Sequence, residues 1–195
     1  AIPEMEALAY HEGIPGHHMQ VALAMEMEGL PLFRKHTWDT AYGEGWALYC
    51  ELIPKEIGLY EDPYSDFGRL GMELWRACRL VVDTGIHSMK WSREEAIAYL
   101  VENAPQPEAN AVDAIERYIV EPGQSTAYTI GMRKILDLRE RARERLGDRF
   151  DLRRFHDTLL RHGSMPLPLL ERVVDDWTLD EAGSTRSDFT PARPE

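Results

Sequence analysis

Cysteine is scarce in this chain. Cys50 and Cys78 are the only two among 195 residues, so no disulfide framework is indicated, although the pair is free to join. No apolar run approaches the ~20 residues that a helix needs to cross a bilayer, and no signal peptide is visible. Basic residues are outnumbered, 22 against 34 acidic, for a net charge of −12. That excess argues against nucleic acid or an anionic membrane surface as a partner. Alternating apolar patterns of the kind that mark half-buried strands are missing, as are internal repeats and low-complexity runs. What remains is 44% hydrophobic and 29% charged residues, ordinary for one globular domain with a proper core. The compartment is left open.

What is there reads as helix. Residues 3–12 and 17–28 form helical pieces around a Gly-Ile-Pro-Gly interruption, and Gly29 and Pro31 then stop the helix. Residues 38–53 carry Trp38, Tyr42, Trp46, Tyr49 and Leu52 roughly along one side, ended by Pro54. Residues 64–83 place Phe67, Leu70, Leu74, Ala77 and Val81 at three-and-four spacing, with a break expected at Thr84-Gly85. Ser92 with Glu95 makes a capping box for a helix to about Glu102. Helices follow over 108–119, over 124–146 closed by Gly147, and over 151–162 closed by Gly163. A last one, introduced by Pro166 and Pro168, runs to about Trp177. The expectation is an all-α fold, with a helical zinc-site domain over 1–179 and a loose tail over 180–195. Only ten residues precede His11, which reads as a fragment of a longer helical protein.

The stretch "ALAYHEGIPGHHMQ" carries the chemistry. A zinc hydrolase needs three protein ligands, an open position for water, and a carboxylate to take the water's proton. His11-Glu12 begins such a motif, but Pro15 stands where H-E-x-x-H would return its second histidine. On an unbroken helix His18 would share the face of His11, yet seven residues rise about 10.5 Å. Two imidazoles ~2.1 Å from one metal do not easily span that. Pro15 and Gly16 make an unbroken helix unfavourable. A local bulge could therefore return His17 to the ligand position, with His18 a neighbour. "YGEGWALYCE" offers Glu44 as third ligand. Glu51, seven residues on, is the alternative ligand or a carboxylate holding a histidine.

Five segments together resemble the bacterial family called domain of unknown function 885: "AYHEGIPGHHMQ", "EGWALYCE", "RLVVDTGIHSMKW", "RYIVEPGQSTAYTIG" and "FHDTLLRHGSMPLPLLE". The resemblance runs to about residue 176. That family is similar to gluzincin metallopeptidases, which implies a gluzincin-like catalytic half-domain. It implies zinc held by His11, His17 and Glu44, with Glu12 as general base. It also makes His87 and Tyr128 the candidates for stabilising an oxyanion. Arg117 and Tyr118 are candidate substrate contacts, Arg117 being able to grip a carboxylate bidentately or to pair with Glu116 or Glu121. His36, His156 and His162 read as ordinary. Members of the family are usually much longer, with a helical region before this motif. The isolated chain is therefore expected to turn over peptides poorly and to expose an apolar patch that invites homo-oligomers. Two other readings stand beside the zinc peptidase: a different metal-dependent amide or ester hydrolase, and a non-catalytic helical module whose metal is structural or absent. The free carboxylate of Glu12 argues against the last.

Overall fold

The computed structural model describes residues 2–183. Helices dominate: α1 (Met5–Glu12), α2 (His17–Glu26), α3 (Leu32–His36), α4 (Thr40–Glu56), α5 (Pro63–Met89), α6 (Arg93–Asn103), α7 (Glu108–Val120), α8 (Gln124–Leu146), α9 (Leu152–Leu160) and α10 (Leu167–Gly183). Strands are absent among the described residues, so the fold is all-α, as the periodicities require. No described helix is long and apolar enough to cross a membrane.

The α4–α8 pair forms the centre. Its backbones approach closely because both helices offer glycine where they cross. A Cβ on Gly131 would lie 1.9 Å from the Ala41 carbonyl oxygen, and one on Gly45 2.4 Å from the Gly131 Cα. Around that crossing Trp46, Tyr49, Ile135 and Leu138 pack against Phe155 and Leu159 of α9 and Leu170 and Val174 of α10. A second core joins α5, α6 and α7 through Cys78, Val82, Leu100, Ala111 and Ile115. Cys50 and Cys78 are free, buried thiols in these two different cores.

Local signals place most boundaries. Asp39, Asp62 and Asp151 cap α4, α5 and α9 with their side chains, and the Ser92–Glu95 capping box opens α6. Some expectations need correction. Pro54 lies inside the last turn of α4 rather than ending it. Trp38 precedes α4 instead of opening it, and α3 is an additional short helix. The break at Thr84-Gly85 does not occur. Gly85 is buried under the Trp91 ring, which would lie 2.5 Å from a Cβ there, and α5 continues to Met89. A mid-helix glycine costs only about 1 kcal/mol, so packing against Trp91 outweighs it. Helix α10 continues past Trp177 to Gly183, so residues 180–183 of the expected tail are helical. The rest of that tail lies outside the described residues.

The larger departure is the orientation of α5. The apolar stripe faces outward: Phe67 is 65% exposed, Leu70 50% and Leu74 46%. The inward face carries Arg69, Arg76, Arg79 and Asp83, all buried. Burying charge is unfavourable unless it meets partners, so this helix is turned by its polar contacts. Those contacts lead to the site.

Candidate metal centre

Helix α1 ends at Glu12, and a four-residue connection, Gly13–Gly16, turns the chain into α2. The turn is tight. Gly16 is buried so close to α1 that a Cβ would sit 1.9 Å from the His11 carbonyl oxygen. Trp46 of α4 pins the connection by donating its indole N–H to the Pro15 carbonyl at 2.9 Å. The two residues in excess of the ordinary motif are therefore taken up by a break between two helices rather than by a bulge in one. His17 then opens α2 and faces His11, their rings edge to face with centroids 4.9 Å apart. His18 points out and is exposed.

His11, His17 and Glu44 come together with one ligand atom each, all within 4.8 Å of one another. A single carboxylate oxygen, Glu44 Oε2, lies 3.7 Å from His11 Nε2 and 3.2 Å from His17 Nε2. Four ligands at ~2.0–2.1 Å around a tetrahedral zinc stand ~3.3 Å apart, so the spacing fits. The partners of the two δ nitrogens agree with that. Buried Glu51 accepts from His11 Nδ1 at 2.7 Å, and Gln20 Oε1 lies 3.4 Å from His17 Nδ1. Both ε nitrogens then turn lone pairs towards a carboxylate oxygen. Acceptors facing one another need a cation between them, a proton or a metal. Burial pushes the His11 pKa down, but bonding to Glu44 and Glu51 outweighs it and the net shift is upward. Burial pushes Glu44 up, and bonding to His11, His17 and Tyr128 more than reverses that, holding it well below the carboxylate range.

The surrounding side chains fix these groups in place. Glu51 also lies 3.5 Å from Nη2 of Arg76. Gln124, at the start of α8, donates to Glu44 Oε1 at 3.1 Å and accepts from Arg79 Nη2 at 2.9 Å. Asp83 holds the preceding residue, accepting from the Gly123 N–H with both oxygens at 3.1 Å. Tyr128 stacks on His11 with centroids 6.1 Å apart and accepts a hydrogen bond from Gln124. Trp38 lies against His17 at 5.6 Å and covers Gly43, where a Cβ would be 2.1 Å from its ring.

Of the candidate residues, His11, His17, Glu44 and Tyr128 gather at one point, and Glu12 follows His11 in the chain. Glu12 is exposed on the last turn of α1 and bonds to no described residue. His87 is not at the cluster. Because α5 runs on through Gly85, His87 sits on its last turn, exposed, where Nε2 donates to the Tyr118 carbonyl at 2.9 Å. That is eight residues past Arg79, about 12 Å along the helix. Arg117 is exposed and pairs with Glu121 at 2.8 Å. Tyr118 is buried with its ring under Arg79 at 5.1 Å. His156 is not an ordinary surface histidine: Tyr49 bonds it at 2.9 Å, and burial, with Arg139 nearby, pushes its pKa down to about 4. Arg76, Arg79 and Gln124 also border the site, and Trp38, in sequence only a member of an apolar stripe, lies against His17. Three basic residues on one side of α5, at 69, 76 and 79, were the available signal.

The profile of a family described as "Bacterial protein of unknown function (DUF885)" matches residues 2–174. A solved structure of a presumed lipoprotein from Colwellia psychrerythraea is 49% identical with a TM-score of 0.90, covering 91% of this chain and 31% of its own length. A second, a presumed lipoprotein of unknown function from Shewanella oneidensis, is 31% identical with a TM-score of 0.80, covering 87% of this chain and 31% of its own. The chain thus spans about a third of the solved proteins it matches. No curated protein matches it.

Proposed function

We propose that this chain, which belongs to the bacterial protein family of unknown function DUF885, carries the metal centre of a zinc-dependent, gluzincin-like peptidase. The observation behind the reading is the convergence of His11, His17 and Glu44 within 4.8 Å; the residue after His11 is Glu12, an exposed carboxylate that bonds to no described residue. Three protein donors rather than four favour a catalytic over a structural metal. When bound, zinc supplies Lewis-acid polarisation of the scissile carbonyl and acidifies water.

The chain's own residues account for the rest. Glu51 keeps His11 in the tautomer that offers Nε2, and Gln124 keeps Glu44 turned so that Oε2 faces the histidines. Glu12 takes a proton from the attacking water and returns it to the leaving amine. The Tyr128 hydroxyl, beside His11, donates to the carbonyl oxygen as negative charge develops there. His87 has no part in this step. Glu12→Gln preserves shape and removes the base, so zinc content should hold while peptide turnover by the natural full-length protein drops about 10²–10⁴-fold. Turnover equal to that of the parent removes Glu12 from the mechanism.

A further inference from the structure

Four arginines are buried among the described residues, and three of them have a carboxylate. Arg69 pairs with Asp66 and Glu73, Arg76 with Glu51, and Arg139 with Glu56. Arg79 has none, although it is only 7% exposed. Its one hydrogen bond goes to the neutral Gln124 side chain, at 2.9 Å. Nε is buried without a partner, and Nη1 bonds to no described residue. The guanidinium lies over the Tyr128 ring at 4.2 Å and the Tyr118 ring at 5.1 Å. The rings attract its charge and leave its N–H groups free.

A buried, unpaired cation is expensive, and a leucine or methionine would pack between two tyrosines without that penalty. The guanidinium is held next to the metal cluster: through Gln124 it is two hydrogen bonds from Glu44, and Tyr128 links it to His11. The end-on edge of the guanidinium, Nη1 with the second N–H of Nη2, is the fork that a planar carboxylate matches with two parallel hydrogen bonds.

We infer that Arg79 is the anchor for the free α-carboxylate of a peptide substrate, so that the site removes residues from peptide C-termini. The inference rests on the zinc-peptidase reading for the cleavage, and on Arg79 alone for the carboxylate. Tyr118 and Tyr128 hold the anchor, and Gln124 couples it to the ligand Glu44.

Two measurements separate the parts. The first uses the zinc-loaded, natural full-length protein with a blocked dipeptide, benzoyl-Gly-Phe, and its C-terminal amide. The free acid should be preferred by about 10²-fold in kcat/KM. Arg79→Gln should keep its zinc, lose the preference mainly through KM, and bring the acid-to-amide ratio towards one. Arg79→Lys keeps the charge without the fork and should fall between, which guards against a folding defect in the glutamine variant. The second is calorimetry on the metal-free protein with N-acetylphenylalanine and its amide. The acid alone should bind, and Arg79→Gln should abolish that. Equal cleavage of acid and amide by the parent overturns the inference, as does a ratio unchanged in Arg79→Gln, which would leave Arg79 as a support for Tyr128. If neither peptide is cleaved, the peptidase reading fails and the calorimetry decides Arg79 by itself: acid and amide binding alike, or neither, overturns the anchor.

Discussion

Glu51→Gln tests whether the buried carboxylate behind His11 serves the metal or only the fold. Glu51 is 2% exposed, its Oε1 lies 2.7 Å from His11 Nδ1 and 3.5 Å from Arg76, and Oε2 has no hydrogen-bond partner. Glutamine fills the same volume, so no cavity term enters, and its carbonyl oxygen still accepts from Nδ1. The charge is lost, and the amide nitrogen takes the place of the unpartnered Oε2. The bond to His11 becomes an ordinary neutral one, His11 becomes a weaker donor to a metal, and zinc affinity should fall about 10–100-fold, or about 1.4–2.7 kcal/mol. Arg76 loses its counter-charge at the same time. Breaking a buried pair costs about 3–5 kcal/mol. The 3.5 Å separation, and the bond that Arg76 keeps to the Met72 carbonyl, place the loss at the lower end, about 3 kcal/mol. Chelator competition measures the affinity, and urea unfolding of the metal-free protein measures the stability. A variant that loses stability while binding zinc as tightly as the parent would refute the reasoning, because Glu51 would then serve Arg76 and not His11.

Removing one ligand of three should nearly empty the site, so His17→Ala should lose metal while His18→Ala, outside the cluster, keeps it; the reverse result on metal analysis sinks the assignment. Zinc competes with a proton on His11, whose pKa is raised above 6.5, so occupancy should decline as pH falls, beginning above that value, and equilibrium dialysis across pH 5–8 checks the sign. The outward stripe of Phe67, Leu70 and Leu74 should drive the isolated chain into dimers or larger assemblies with weak or no peptide turnover. A monomer in sedimentation that cleaves peptides as fast as the natural full-length protein contradicts this.

Much of the fold was legible because helix signals are local. The Ser92–Glu95 box, the glycines at 147 and 163, and the three-and-four spacings each act within a turn or two of chain. Part of the site was legible for the same reason. His11 and Glu12 are neighbours, and Glu44 and Glu51 are two helical turns apart and so share one side of α4. Pro15 and Gly16 announced that α1 would not run on to His18. Periodicity, however, says which residues share a face and not which face turns inward. On α5 the apolar stripe predicts the wrong one, because Asp66 on the helix itself, Glu51 of α4, and Gln124 with the Gly123 N–H at the start of α8 draw Arg69, Arg76, Arg79 and Asp83 inside. Which of two adjacent histidines meets Glu44, that Gln124 reaches across 80 residues to hold that carboxylate, and that His87 falls short of the cluster were likewise settled only in three dimensions. Such contacts join groups far apart in sequence, where only the packing of whole helices sets the distance.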